Sequence, residues 1–295
     1  MKRYVTWVLL PLMTTIVLCC GSNEESGGTE QPIIPDSTRL SGILDNTYWT
    51  LEDTVSVFCL QSIRQAKYLL SEGEGKPSGE FRLTEDSSID FLNGKLYAMT
   101  SHRYNYGLSA TDDEKPILTT GIPTAYSIDE VVAPSGCTRK PVPYWASVSM
   151  GEQGSLSGTF KGLTALLKIR MAGLPTRTKA IVLSTHRYYD LNDEMQYGGY
   201  DNRISGTFES VLEENAKLSL NPIFFSYDTI RVNITADYVN KNDDSIYIPI
   251  VSESYGKLLV IAVTDDNYRS YKWYGTTLAL FEDTTFLPNT IVEVK

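Results

Sequence analysis

The stretch GTFKGLTALLKIRM, residues 158–171, sets Leu163, Ala165, Leu167, Ile169 and Met171 against Thr164, Lys168 and Arg170. Successive side chains of an extended chain point to opposite faces, so a period of two predicts a strand with one buried face. The pattern returns in DTIRVNITADY, 228–238, where Ile230, Val232 and Ile234 alternate with Arg231, Asn233 and Thr235. SIYIPIVS (245–252), KLLVIAVTD (257–265) and NTIVEV (289–294) are further β-branched runs, as are AIVLST (180–185) and VSVFCL (55–60) earlier in the chain. Between them SEGEGKPSGE (71–80), DFLNGKLY (90–97) and YVNKNDDSIY (238–247) predict hairpins or loops, the second around Asn93-Gly94. Short helices are expected in YSIDEVV (126–132) and in FESVLEENAKL (208–218), the latter with an apolar face of Phe208, Val211 and Leu212. The fold class read from this pattern is all-β.

A chain of 295 residues in many short strands exceeds one ordinary sandwich, so two β domains are expected. The glycine-rich stretch SMGEQGSLSG, 149–158, places the division near Ser157. The N-terminal domain is then 39–156 and the C-terminal domain 157–295.

Lys2 and Arg3 precede the apolar run VTWVLLPLMTTIVLCC. Its shortness against the roughly 20 residues of a membrane-spanning helix, and the break at Pro11, give it the shape of a secretory signal over residues 1–19. A small residue followed by cysteine at the end of such a run resembles the lipobox of bacterial lipoproteins. Cys20 fits that pattern, with Cys19 before it and Val17 three places before, whereas Cys19 would follow bulky Leu18. Cys20 is therefore the candidate lipidation residue and mature N-terminus; the other reading is an ordinary cleaved signal. Residues 20–38, with GSNEESGGTEQP directly after Cys20, read as a flexible, solvated tether that includes a removable segment. Its acidic cluster resembles the signal that sends Bacteroidetes lipoproteins to the outer face of the outer membrane, or is a plain acidic linker.

The formal net charge is -10, more negative once Lys2 and Arg3 leave with the signal, and the basic residues are scattered. Nucleic acid is excluded as a partner on that ground. Cys59 in VSVFCLQ and Cys137 in PSGCTRK either pair as a disulfide or stay apart, Cys59 serving as a small buried hydrophobe. The two histidines, His102 and His186, stand in no CxxC or HExxH context, and DLNDEM and NKNDDS lack the spacing of a calcium loop, so no metal is expected. With no GxSxG, P-loop or GxGxxG stretch, neither a cofactor nor an enzymatic activity is expected.

PVPYWASVSM (141–150), GTFKGLTALLKIRM, AIVLST and the terminal LPNTIVEV (287–294), behind a lipoprotein signal, resemble the fimbrillin family of Bacteroidetes pilins and fimbrial accessory subunits. The most specific part of the match is Phe160 followed by Ala165, Leu167 and Ile169; Gly162 stands where such sequences often carry a histidine. The resemblance implies two transthyretin-like β-sandwich domains, a lipid anchor in the outer membrane and a place in the surface fimbrium, supporting adhesion. It also implies assembly with other fimbrial subunits by strand donation, after a trypsin-like protease cuts beyond an N-terminal strand. Arg39, the first basic residue after Cys20, is the candidate cut site, and TIVEVK (290–295) either donates a strand or completes its own sheet. A sheet lacking an edge strand offers unpaired N–H and C=O groups to another chain's strand, and head-to-tail filling grows an open filament. Pro32 and Pro35 make the segment before Arg39 a poor central strand, which fits an anchor or tip subunit that keeps its N-terminus.

A second reading is a surface lipoprotein that binds host or bacterial glycans. Of the 19 tyrosines, Tyr268 and Tyr271 lie beside Trp273 and Tyr274 in DNYRSYKWYG, a candidate aromatic platform for sugar rings. Asp followed by Ser or Thr and then an aliphatic residue or Thr resembles an O-glycosylation signal, giving Ser37, Thr54, Thr229, Ser245 and Thr284 as candidates.

Overall fold

The computed structural model describes residues 38–294 except 60–63, 86, 89–93, 101–104, 111–114, 135–137, 139–140, 152–153, 186–202, 221–225, 236–242 and 265–274. Strands dominate. In chain order they are β1 (Arg39–Leu44), β2 (Thr54–Cys59), β3 (Ala66–Glu72), β4 (Ser78–Leu83), β5 (Leu96–Thr100), β6 (Asn105–Ala110), β7 (Pro116–Ile122), β8 (Ala125–Ser127) and β9 (Val132–Ala133). Then come β10 (Tyr144–Met150), β11 (Leu156–Gly162), β12 (Ala165–Arg170), β13 (Ala180–Ser184), β14 (Ser205–Val211), β15 (Ser219–Leu220) and β16 (Ser226–Tyr227). β17 (Thr229–Asn233), β18 (Ser245–Ile250), β19 (Ser254–Val263), β20 (Gly275–Thr285) and β21 (Ile291–Val294) complete the set. The fold is all-β, as the alternation predicts.

Seven strands close on themselves in the order β1-β11-β10-β5-β2-β3-β4. Closure depends on β1, which runs parallel to β11 on one side and antiparallel to β4 on the other, so that Leu40 faces both Leu156 and Phe81. A barrel has no free edge, which removes the unpaired backbone that an open sheet of these strands would present. Its interior is filled by Leu40, Leu44, Trp49, Val55, Val57, Tyr68, Phe81 and Phe160 among others. Trp49 stands edge-on to Phe81 at 4.7 Å and to Phe160 at 5.3 Å, and its Nε1 donates to the Gly42 carbonyl at 3.1 Å. The ring fits because Gly79 has no side chain: a Cβ there would lie 2.6 Å from Trp49 Cδ1. The β3–β4 hairpin forms over SEGEGKPSGE as expected, its turn entered at Gly73 with φ +99, a region closed to residues with a Cβ.

The remaining strands build open sheets. One has the order β21-β12-β18-β9 and another β20-β19-β13-β17-β8. They share a core in which Leu163, Ala165, Leu167 and Ile169 meet Ile181, Leu183, Ile230, Val232 and Val260, so the apolar side of LTALLKIRM is the buried face it predicts. Leu166, on the opposite face, is buried in a small cluster with Ala133 and Tyr247. The third sheet, β15-β14-β7-β6 with β16 on β14, contributes Leu118, Ile122 and Phe208 to the same core.

FESVLEENAKL is not helical. Phe208 to Val211 belong to β14, held antiparallel to β7 from Gly206 to Val211. Spacing of three and four among Phe208, Val211 and Leu212 is compatible with either structure at this length, and pairing with β7 decides it. YSIDEVV does contain a helix, the single turn Ile128–Val131, where the Glu130 carboxylate accepts the Ser127 N–H at 2.7 Å. The stretch 149–158 that the sequence reading uses as a division holds the end of β10 and the start of β11, which pair with each other, and β7, β8 and β9 from the first half pair with β14, β17 and β18.

Candidate functional site

The C-terminal strand β21 lies at a sheet edge beside β12. It runs parallel to β12 with Leu166 opposite Ile291, Leu167 opposite Val292, Lys168 opposite Glu293 and Ile169 opposite Val294. Period two then assigns the side chains: Val292 and Val294 lean on the shared core, while Glu293 takes the outer face and accepts a hydrogen bond from Arg170 Nε. Ile291 is 38% exposed. Among the described residues no strand pairs with the outer edge of β21. Beyond its end, Ile169, Ala172, Leu174, Leu278 and Val294 line a largely apolar groove of about 580 Å³, with Arg170 and Glu293 at its polar side.

β21 is entered through a corner built on Asn289, which has φ +58. Asparagine tolerates this left-handed conformation better than most residues. The Asn289 N–H donates to the Thr164 carbonyl at 2.9 Å, and the next carbonyl, of Thr290, accepts from the Leu166 N–H at 2.8 Å. The Asn289 side chain donates through Nδ2 to Asp45 Oδ2 at 2.8 Å and accepts the Gly162 N–H through Oδ1 at 3.0 Å. Asn46, with φ +64, donates its side-chain amide to the Asn289 carbonyl at 3.1 Å. Burial, helped by the charge of Asp45, raises the pKa of the Tyr144 phenol and keeps it protonated. At the other end of the β20–β21 connection, Phe286 donates its N–H to the Glu253 carbonyl at 3.0 Å. The Glu253 carboxyl is raised by burial, with Lys217 drawing it partly back.

Arg39 is the first residue of β1. Its side chain is exposed, but its backbone is in antiparallel register with Arg82, and the neighbouring Thr38 carbonyl accepts the Leu83 N–H at 2.9 Å. Cys59 is buried inside the barrel. Cys20, Cys137, Tyr268, Tyr271, Trp273, Tyr274 and Ser37 lie outside the described residues. Of the remaining candidate modification sites, Thr54, Thr229 and Thr284 are half-buried in β2, β17 and β20, and Ser245 is buried at the start of β18. Among the described residues no group of His, Cys, Asp and Glu side chains could hold a metal ion. A second concavity of about 670 Å³ lies on the outside of the barrel, where Ser41, Ser147 and Thr159 stand beside Tyr97, Trp145 and Lys161.

The sequence reading missed the Asn289 corner. The only local signal is LPNT, an asparagine between a proline and a strand; the partners, Asp45 and Asn46, are more than 240 residues away.

No family model and no curated protein matches the chain. Among solved structures, a candidate cell adhesion protein from Bacteroides ovatus is similar over 86% of this chain and 89% of its own, with 12% identity and a TM-score of 0.46. A second candidate cell adhesion protein, from Bacteroides uniformis, is similar over 83% and 90%, with 10% identity and a TM-score of 0.35. A fimbrial assembly protein from Parabacteroides distasonis is similar over 86% and 89%, with 10% identity and a TM-score of 0.36.

Proposed function

We propose that this chain is a subunit or accessory subunit of surface fimbriae, tethered to the outer membrane through Cys20 and assembled by exchange of its C-terminal strand. The observation that carries the reading is β21 itself: four residues at an edge, none fully buried, running into an apolar groove. Net backbone hydrogen bonds contribute about 1 kcal/mol each, so a strand of this length is held by only a few kcal/mol. The β21 of a second copy would make the same bonds to β12, which leaves the exchange close to balanced in energy and makes it a matter of release. Repeated head to tail, the exchange does not close and grows a filament.

A cut after Arg39 fits this scheme because it spares the inward residues of β1, Leu40 and Leu44, on which barrel closure depends. The test is intact-mass analysis of the mature N-terminus in polymers shed from cells and in the cell membrane, with Cys20→Ala as control. The expected result is a terminus at Leu40 in SDS-resistant polymers and an acylated Cys20 on the membrane form. Monomers alone, with the segment through Arg39 intact, would remove strand exchange.

The second reading, glycan binding, is favoured by the concavity on the barrel, where hydroxyls and lysines lining it beside Tyr97 and Trp145 suit a polar, ring-shaped ligand. Binding of glycans that survives Trp145→Phe and Lys161→Ala would place any such site elsewhere.

A further inference from the structure

We infer that the Asn289 corner is a latch that makes release of β21 conditional on the turn between β1 and β2, a regulation that rests on the strand-exchange reading above. Asn289 uses every polar group it has on segments other than its own. Its N–H goes to Thr164, its side-chain oxygen to Gly162 at the end of β11, its side-chain nitrogen to Asp45, and its carbonyl to Asn46. None of these bonds belongs to the β12–β21 ladder, which begins one residue later at the Thr290 carbonyl. The corner therefore adds restraint that strand pairing does not require.

The restraint is anchored on the barrel. Asp45 follows Leu44, which is buried there, and the Asp45 N–H donates to the Phe160 carbonyl at 3.1 Å. Both Asn46 and Asn289 are in the left-handed region, so neither turn relaxes by a small backbone adjustment. Displacing the β1–β2 turn breaks the two bonds that Asp45 and Asn46 make, half of the corner, and β21 is then held by its own short ladder and the remaining bonds of Asn289 to Gly162 and Thr164. An event at β1, the strand that starts at Arg39, is in this way transmitted to the last strand of the chain, about 250 residues on.

Hydrogen exchange on the mature chain, read by mass spectrometry over 291–294 and over the barrel segment 144–150, tests the latch. Asn289→Gly removes the side-chain bonds while leaving φ +58 accessible, and Asp45→Ala removes the acceptor from the opposite side, so misfolding of one variant leaves the other as the test. Both are expected to speed exchange over 291–294 by about tenfold or more with barrel protection unchanged, while Asp45→Asn, which keeps an acceptor oxygen, stays near wild type. Unchanged protection over 291–294 in both variants overturns the latch. Faster exchange without faster transfer of strands between differently tagged copies leaves the latch standing and removes the strand-exchange reading.

Discussion

Deleting residues 291–295 is expected to abolish SDS-resistant polymers while the chain still folds. The fully buried residues of the shared core all lie outside β21, and of the described side chains of that strand only Val292 and Val294 pack against the core. Losing two partly buried valines and a short ladder costs about 2–4 kcal/mol, a level that a chain of this size withstands. Polymerisation, in contrast, loses its donor entirely. Thermal unfolding and a denaturing gel on the same preparation separate the two effects. If polymers persist, the donor is another edge, and the eleven-residue β20, paired only with β19 among the described residues, becomes the first candidate.

Trp49→Ala is expected to destabilise the barrel by about 3–5 kcal/mol, lowering the melting temperature by roughly 6–20 °C. The ring is fully buried, touches Phe81 and Phe160 edge-on, and donates through Nε1 to the Gly42 carbonyl. Gly42 and Gly79 approach the ring with bare backbone and so have no side chain to fill the hole. Trp49→Phe should recover part of the loss. A change of only a degree or two on Trp49→Ala would show that the barrel is not organised around this ring.

What the sequence reveals here is one-sided burial. LTALLKIRM is legible because Leu163 to Ile169 face a core on one side, with charge at Lys168 and Arg170 on the other. Leu166 already breaks the rule, since a second small cluster covers it. IVEV reads as a strand, but its partner β12 lies some 125 residues back, and a parallel pairing leaves no local trace in either segment. The same holds for the parallel pairing of β1 with β11 that closes the barrel. FESVLEENAKL misleads for the opposite reason: local spacing offers a helix and a distant strand overrides it. Asn289 is the residue for which sequence is least informative, because its role lies in four bonds to two distant segments, 45–46 and 162–164.

Cysteine trapping between β12 and β21 tests the central claim most directly. Lys168 and Glu293 are opposite each other on the outer face, and neighbouring strands lie about 4.8 Å apart, within the reach of a disulfide. Lys168→Cys is placed in one tagged copy and Glu293→Cys in another, with Cys59 and Cys137 replaced by alanine in both, and the two are oxidised after assembly. Strand exchange at this register gives a disulfide joining the two tags in the polymer. A bond that forms only when both cysteines are in one copy would mean that β21 stays in its own sheet, and would contradict the account.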